Sequence, residues 1–178
     1  MAKPYIVMCA PNGAKKSRAD HPTLPVSPEE LADCAESITK AGASIMHVHV
    51  RDDEGRHSLD ANRYRTAIDA IRKRVGNDVV IQVTTEACGI YSPEQQMAMV
   101  KDLKPEAVSI ALKELCPDAT SEPAAREFFS WLKAERIMPQ YILYSPAEVD
   151  RFVSLRQKNV IPDSRPFVLF VLGRTAMI

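Results

Sequence analysis

The sequence predicts an α/β protein in which parallel strands alternate with helices. Apolar runs recur at regular intervals, at residues 5–10, 44–50, 79–83, 107–112, 140–144 and 167–172. Most are rich in Val and Ile and several are apolar on both faces, as strands buried on both sides are. Helix start signals stand between them. The order is therefore β-α five times, then a sixth strand. Two architectures fit it: an open doubly wound sheet, or a (β/α)8 barrel truncated after its sixth strand. A complete barrel needs about 250 residues, and this chain has 178.

Each helix has its own justification. Ser27-Pro28-Glu29-Glu30 reads as a capping box with proline at the first helical position. Ser92-Pro93-Glu94-Gln95 and Ser145-Pro146-Ala147-Glu148 repeat the device. Asp60 has the chemistry to cap another helix. Apolar stripes follow at helical spacing: Leu31, Ala35, Ile38 and Ala41, then Tyr64, Ala67, Ile68, Ile71 and Val75, then Phe128, Phe129 and Leu132. Gly42, Gly76 and Asn159 sit where helices should end in a left-handed residue. With no repeat or linker, residues 1–178 read as one partial barrel-type domain.

Composition excludes several functions. Lys plus Arg and Asp plus Glu both number 23, so the net charge is zero. A nucleic-acid binder would need a basic excess, and a polybasic membrane anchor is excluded likewise. No apolar run approaches a transmembrane length, and the first residues lack a signal-peptide pattern. Cys9, Cys34, Cys88 and Cys116 are widely and irregularly spaced, which suits small buried hydrophobes in a reducing cytoplasm.

Polar residues collect at the carboxyl ends of the apolar runs, where α/β folds place their ligands. These are Asn12 and Gly13, then His47, His49 and Arg51, then Thr84, Thr85 and Glu86. Ser109, Lys113 and Glu114 follow, then Tyr144 and Ser145, then Gly173 and Arg174. His47 and His49 stand two apart on a strand and so face the same way. They can share one metal ion, and neutral imidazole suits zinc; two hydrogen-bonded histidines without a metal satisfy the spacing equally. Arg51 continues that face, to hold a substrate carboxylate or to pair with Asp52, Asp53 or Glu54. Thr84, Thr85 and Ser109 can offer hydroxyls to a ligand or bond their own backbone. His57 reads as a solvated loop residue, and His21 is ambiguous. Gly-x-Gly-x-x-Gly, Walker A and Gly-x-Ser-x-Gly sequences are all absent, which disfavours nucleotide enzymes and α/β-hydrolases. An amidohydrolase-type barrel would carry further histidines on later strands, and none follows residue 57.

Taken together these segments resemble the β-keto acid cleavage enzymes, the family of 3-keto-5-aminohexanoate cleavage. The matching pieces are Ala10-Pro11-Asn12-Gly13-Ala14, His21-Pro22-Thr23-Leu24-Pro25, Ala41-Gly42-Ala43-Ser44 and His47-Val48-His49-Val50-Arg51-Asp52. Gln82-Val83-Thr84-Thr85-Glu86, Pro105-Glu106-Ala107-Val108-Ser109 and Leu169-Phe170-Val171-Leu172-Gly173 complete them. The resemblance implies the barrel rather than the open sheet. It implies a zinc ion held by His47, His49 and a late glutamate. The reaction it implies joins a β-keto acid to acetyl-CoA, releasing acetoacetate and an acyl-CoA. Zinc would act on the keto oxygen as a Lewis acid while a carboxylate base removes the C2 proton. Thr84 and Ser109 match the positions that hold the substrate carboxylate and keto groups, with Asn12, Arg51 and Lys15 beside them.

Two departures stand out. The family's third zinc ligand and its base fall beyond the last residue here, leaving the catalytic base unassigned and Glu86 as the one substitute ligand. Lys15 stands where aminohexanoate-cleaving members carry an acid, so a neutral or anionic substrate is expected. Three readings follow: the cleavage enzyme, a non-catalytic remnant completed by oligomerisation, and another metal-dependent barrel hydrolase. The uncovered sixth strand predicts self-association into a homo-oligomer.

Overall fold

The computed structural model describes residues 5–172; Gly173 and Arg174, expected at the end of the sixth strand, lie outside them. The described residues form two compact units, one drawn from residues 1–84 and 99–106, the other from residues 85–98 and 107–178.

In the first unit, β1 (Met8–Cys9), β2 (Ile45–Val48) and β5 (Val80–Thr84) lie side by side in chain order, all parallel. Helices α1 (Pro28–Lys40) and α2 (Ala61–Val75) form the crossovers and pack on each other. The α1 capping box is complete: Ser27 Oγ accepts from Glu30 N–H, and the Glu30 carboxylate accepts from Ser27 N–H. Asp60 caps α2 by accepting from Asn62 and Arg63 N–H. Gly42 and Gly76 take the positive φ expected of them. Leu31, Ala35, Tyr64 and Ile71 on the helices and Met46, Val48, Ile81 and Val83 on the strands are all buried.

One departure shapes the site. The apolar run 44–50 is not one strand, because β2 stops at Val48. The chain then enters a hairpin of β3 (Val50–Arg51) and β4 (His57–Ser58), antiparallel. The reason is Asn12, whose side chain takes over both backbone groups of His49 and removes that residue from the ladder. β1 is likewise shorter than the run 5–10; Tyr5, Ile6 and Val7 are exposed.

In the second unit, β6 (Ala107–Ala111), β7 (Met138–Leu143) and β8 (Phe167–Phe170) are again parallel and in chain order. A short α4 (Leu112–Leu115) takes up Lys113 and Glu114, and α5 (Glu122–Glu135) and α6 (Pro146–Gln157) complete the unit. Its core is aromatic: Tyr141 meets Phe129 and Phe152, and its hydroxyl donates to Asp163 at 2.7 Å. Helix α3 (Pro93–Leu103) runs between the two units in sequence, capped by reciprocal Ser92–Gln95 bonds. Strands in chain order with a helix in each crossover are the pattern of a (β/α)8 barrel wall; a doubly wound sheet reverses its order at a switch point. Leu169 and Phe170 remain exposed on β8.

Candidate metal and substrate site

The histidine pair lies at the carboxyl end of β2 in the first unit. The two rings meet edge to face, and their Nε2 atoms are 2.9 Å apart. Two nitrogens each about 2.1 Å from one tetrahedral ion lie about 3.4 Å apart. A small ring rotation therefore opens the pair to a cation. His49 is 3% exposed. Burial, then the neighbouring His47 and His57 rings and the Arg51 guanidinium, lower its pKa from 6.5 to about 2. It is a neutral imidazole, the form that ligates a metal. This donor set fits zinc as two ligands.

Each ring is held from behind. His47 Nδ1 lies 2.8 Å from Gln82 Oε1, and Gln82 is fully buried opposite His47 in the β2–β5 register. Asn12 Nδ2 donates to the carbonyls of His49, at 2.8 Å, and Pro25, at 3.1 Å, while its Oδ1 accepts from His49 N–H at 3.2 Å. Asn12, expected among the substrate ligands, thus commits its amide to the backbone beside the pair.

His57 overturns its reading as a solvated loop residue. It is 6% exposed on β4, with its ring centroid 5.2 Å from that of His49. The turn sequence Asp53-Glu54-Gly55 between two short runs was the signal for this hairpin. Arg51 is buried too, and its guanidinium donates to the carbonyls of Gly13 and Lys16. It thereby fastens the loop carrying Lys15, whose side chain is exposed. Gln82 escaped notice because one polar residue inside an apolar run looks unremarkable until strand register is known. His21 is exposed and its Nδ1 lies 3.1 Å from Thr23 Oγ1.

Thr84 is buried at the end of β5 in the same unit. Ser109 belongs to the second unit, buried on β6. There Thr85 donates both its backbone N–H and its hydroxyl to the Ser109 carbonyl, so its hydroxyl bonds backbone. Among the described residues, no three of His, Cys, Asp and Glu gather as a metal site, and Glu86, the substitute ligand considered above, belongs to the second unit. The second unit has its own cavity of about 390 Å³ at the ends of β7 and β8, lined by Leu143, Tyr144, Pro146, Val149 and Phe170. Lys113 Nζ stands over the Tyr144 ring, 3.9 Å from its centroid.

Residues 4–178 match the family described as beta-keto acid cleavage enzyme. A 3-keto-5-aminohexanoate cleavage enzyme from Acetoanaerobium sticklandii is 34% identical over 175 residues, covering 94% of this chain and 62% of that protein. A 3-oxoadipate:acetyl-CoA acetyltransferase from Cupriavidus necator is 24% identical over 177 residues, covering 97% and 61%. The chain thus spans about three-fifths of the length of these two relatives. A solved ternary complex of ObcA with a C4-CoA adduct and oxalate matches with TM-score 0.66 and 20% identity, covering 85% of this chain and 37% of that one. That likeness is one of fold.

Proposed function

The chain belongs to the beta-keto acid cleavage enzymes, and from that premise we propose that it serves acetyl-CoA-dependent cleavage of a β-keto acid. The C2–C3 bond of the β-keto acid breaks: its acyl group, keto carbon included, passes to CoA, and its C1–C2 unit joins the acetyl group of acetyl-CoA and leaves as acetoacetate. The observation that carries this reading is the convergence of His47 Nε2 on the Nε2 of the neutral His49, 2.9 Å away.

In this proposal His47 and His49 hold zinc, which supplies Lewis acidity toward the β-keto oxygen when bound. The chain's other residues prepare the site. Gln82 and Asn12 fix the ligand rings and the strand end that bears them. Arg51 orders the loop on which Lys15 presents its ammonium. A cation there repels an aminated substrate and attracts a carboxylate, so a neutral or anionic β-keto acid suits the site. Thr84 and Ser109 are the hydroxyls proposed for the substrate carboxylate and keto groups. Self-association is proposed from the exposed Leu169, Phe170 and Leu172. A cytoplasmic setting is proposed as well; among the described residues no helix is long and apolar enough to cross a membrane.

Elemental analysis of the purified chain tests the site, and near one zinc per chain is the expected result. No zinc after reconstitution removes His47 and His49 as a sufficient pair and favours the non-catalytic remnant. Acetoacetate release from a panel of β-keto acids then tests the activity. Preference for the amino-keto acid over a dicarboxylic one refutes the role given to Lys15.

A further inference from the structure

We propose that the cavity where α1, α2 and β3 meet is a binding site for a short-chain aliphatic monocarboxylate. The site is separate from the histidine pair, and the proposal does not rest on the zinc reading above.

The cavity lies wholly in the first unit and has a volume of about 160 Å³. A cavity of about 150 Å³ holds benzene, so the occupant has about six heavy atoms, as butyrate does. Leu31, Val50 and Ala67 give it buried apolar walls. Arg51 and Arg63 line it as well, and among the described residues that do so none is acidic. Arg51 is 7% exposed and so stands largely out of water, where attraction to an anion is stronger. Thr66 also lines the cavity. Its hydroxyl donates its single proton to the Asn62 carbonyl at 3.0 Å, which leaves only lone pairs for an occupant. The carboxylate therefore falls to the guanidinium groups, whose forked N–H donors match two oxygens. The hydrocarbon tail falls to the apolar walls, which it shields from water.

Three acids also act on Arg63: Asp53, by an ion pair at 2.9 Å, then Asp60 and Asp52. None of them lines the cavity. Asp53 is 83% exposed, where an ion pair contributes little. Asp60 caps α2, and Asp52 accepts from the Arg56 side chain and from the Glu54 and Arg56 N–H groups.

The site has a route to the loop bearing Lys15. Arg51 donates to the carbonyls of Gly13 and Lys16, and Arg63 donates to the Arg51 carbonyl at 3.2 Å. A carboxylate that engages these two side chains acts on the groups that fasten the loop.

The test is proton–nitrogen correlation NMR of the metal-free chain, titrated with sodium butyrate at an ionic strength held constant with sodium chloride. Butyrate should give saturable shifts at the Leu31, Val50, Arg51 and Ala67 amides, carried to Gly13 and Lys16. Butyramide, which has the same shape without the charge, should give none. Acetate, with a shorter tail, and inorganic phosphate, with no tail, should both bind more weakly. Arg63→Met should weaken butyrate about 10-fold or more, the scale of one hydrogen bond to a charged group. Arg63→Lys, which keeps the charge, should weaken it less. Absence of saturable shifts, equal shifts with butyramide, or shifts centred on His47, His49 and Thr84 overturn the proposal. Phosphate binding as tightly as butyrate, or Arg63→Met binding like wild type, overturns it too. The comparison of butyrate with butyramide uses the wild-type chain and decides the matter even where Arg63→Met fails to fold.

Discussion

Lowering the pH should destabilise the metal-free protein through His49. Its imidazole titrates at an ordinary 6.5 when unfolded and at about 2 when folded. Between those values the unfolded chain binds a proton that the folded chain refuses, so stability falls as pH falls from 6.5. At pH 5 the unfolded ring is protonated about 30 to 1, which amounts to about 2 kcal/mol lost relative to pH 8. That figure is insensitive to where below pH 5 the folded value lies. The groups facing the ring are His47, His57 and Arg51, and burial is the largest cause. Urea unfolding at pH 8 and pH 5, compared with His49→Gln, isolates the effect, because carboxylate contributions common to both proteins cancel. Far-ultraviolet circular dichroism is the right probe, since Trp131, the sole tryptophan, belongs to the second unit. Wild type should lose about 2 kcal/mol more than the variant. Equal losses would refute the claim that a neutral ring is forced on His49 by its surroundings.

Asn12→Ala should destabilise the first unit by about 2–3 kcal/mol, because it strips the partners from buried backbone groups of His49; the urea midpoint reads this directly. Glu30 is held down to about 2 by the backbone N–H groups of Ser27 and Val26 and then by Arg18. Its stabilisation is therefore present above pH 4.5 and lost as pH falls through about 2. Its side chain is 40% exposed, so solvent screening keeps the effect under about 1 kcal/mol. Glu30→Gln should flatten the acid limb of thermal stability across that window, and an unchanged limb would count against the capping box.

Local chemistry made much of the architecture readable. Ser27, Asp60, Ser92 and Ser145 cap helices because their oxygens meet N–H groups two or three residues on, a relation fixed by sequence spacing alone. Glu148 shows where such reasoning stops: it accepts from Tyr144 N–H instead of the Ser145 amide expected from the capping pattern. The pairing of His47 with His49 was readable through strand periodicity. Gln82 was not, because its role depends on a register between residues 35 apart in the chain. His57 was misjudged for a different reason. Treating 44–50 as one strand continued its face to Arg51, whereas Asn12 takes His49 out of the ladder, the strand stops at Val48, and the hairpin turns His57 back toward His49. A side chain on a preceding loop redirected the backbone, and no periodicity argument registers that.

The same residues explain why the pair can be ready before any ligand arrives. His47 is oriented from the adjacent strand by Gln82, and His49 from the loop after β1 by Asn12 and from the hairpin by the His57 ring. All of these residues lie in the first unit. Ordering two imidazoles from a flexible chain would cost side-chain entropy on binding; here folding of that unit has already fixed them. Affinity for a cation should therefore track the stability of the first unit, and a zinc titration of Asn12→Ala should show weaker binding than wild type.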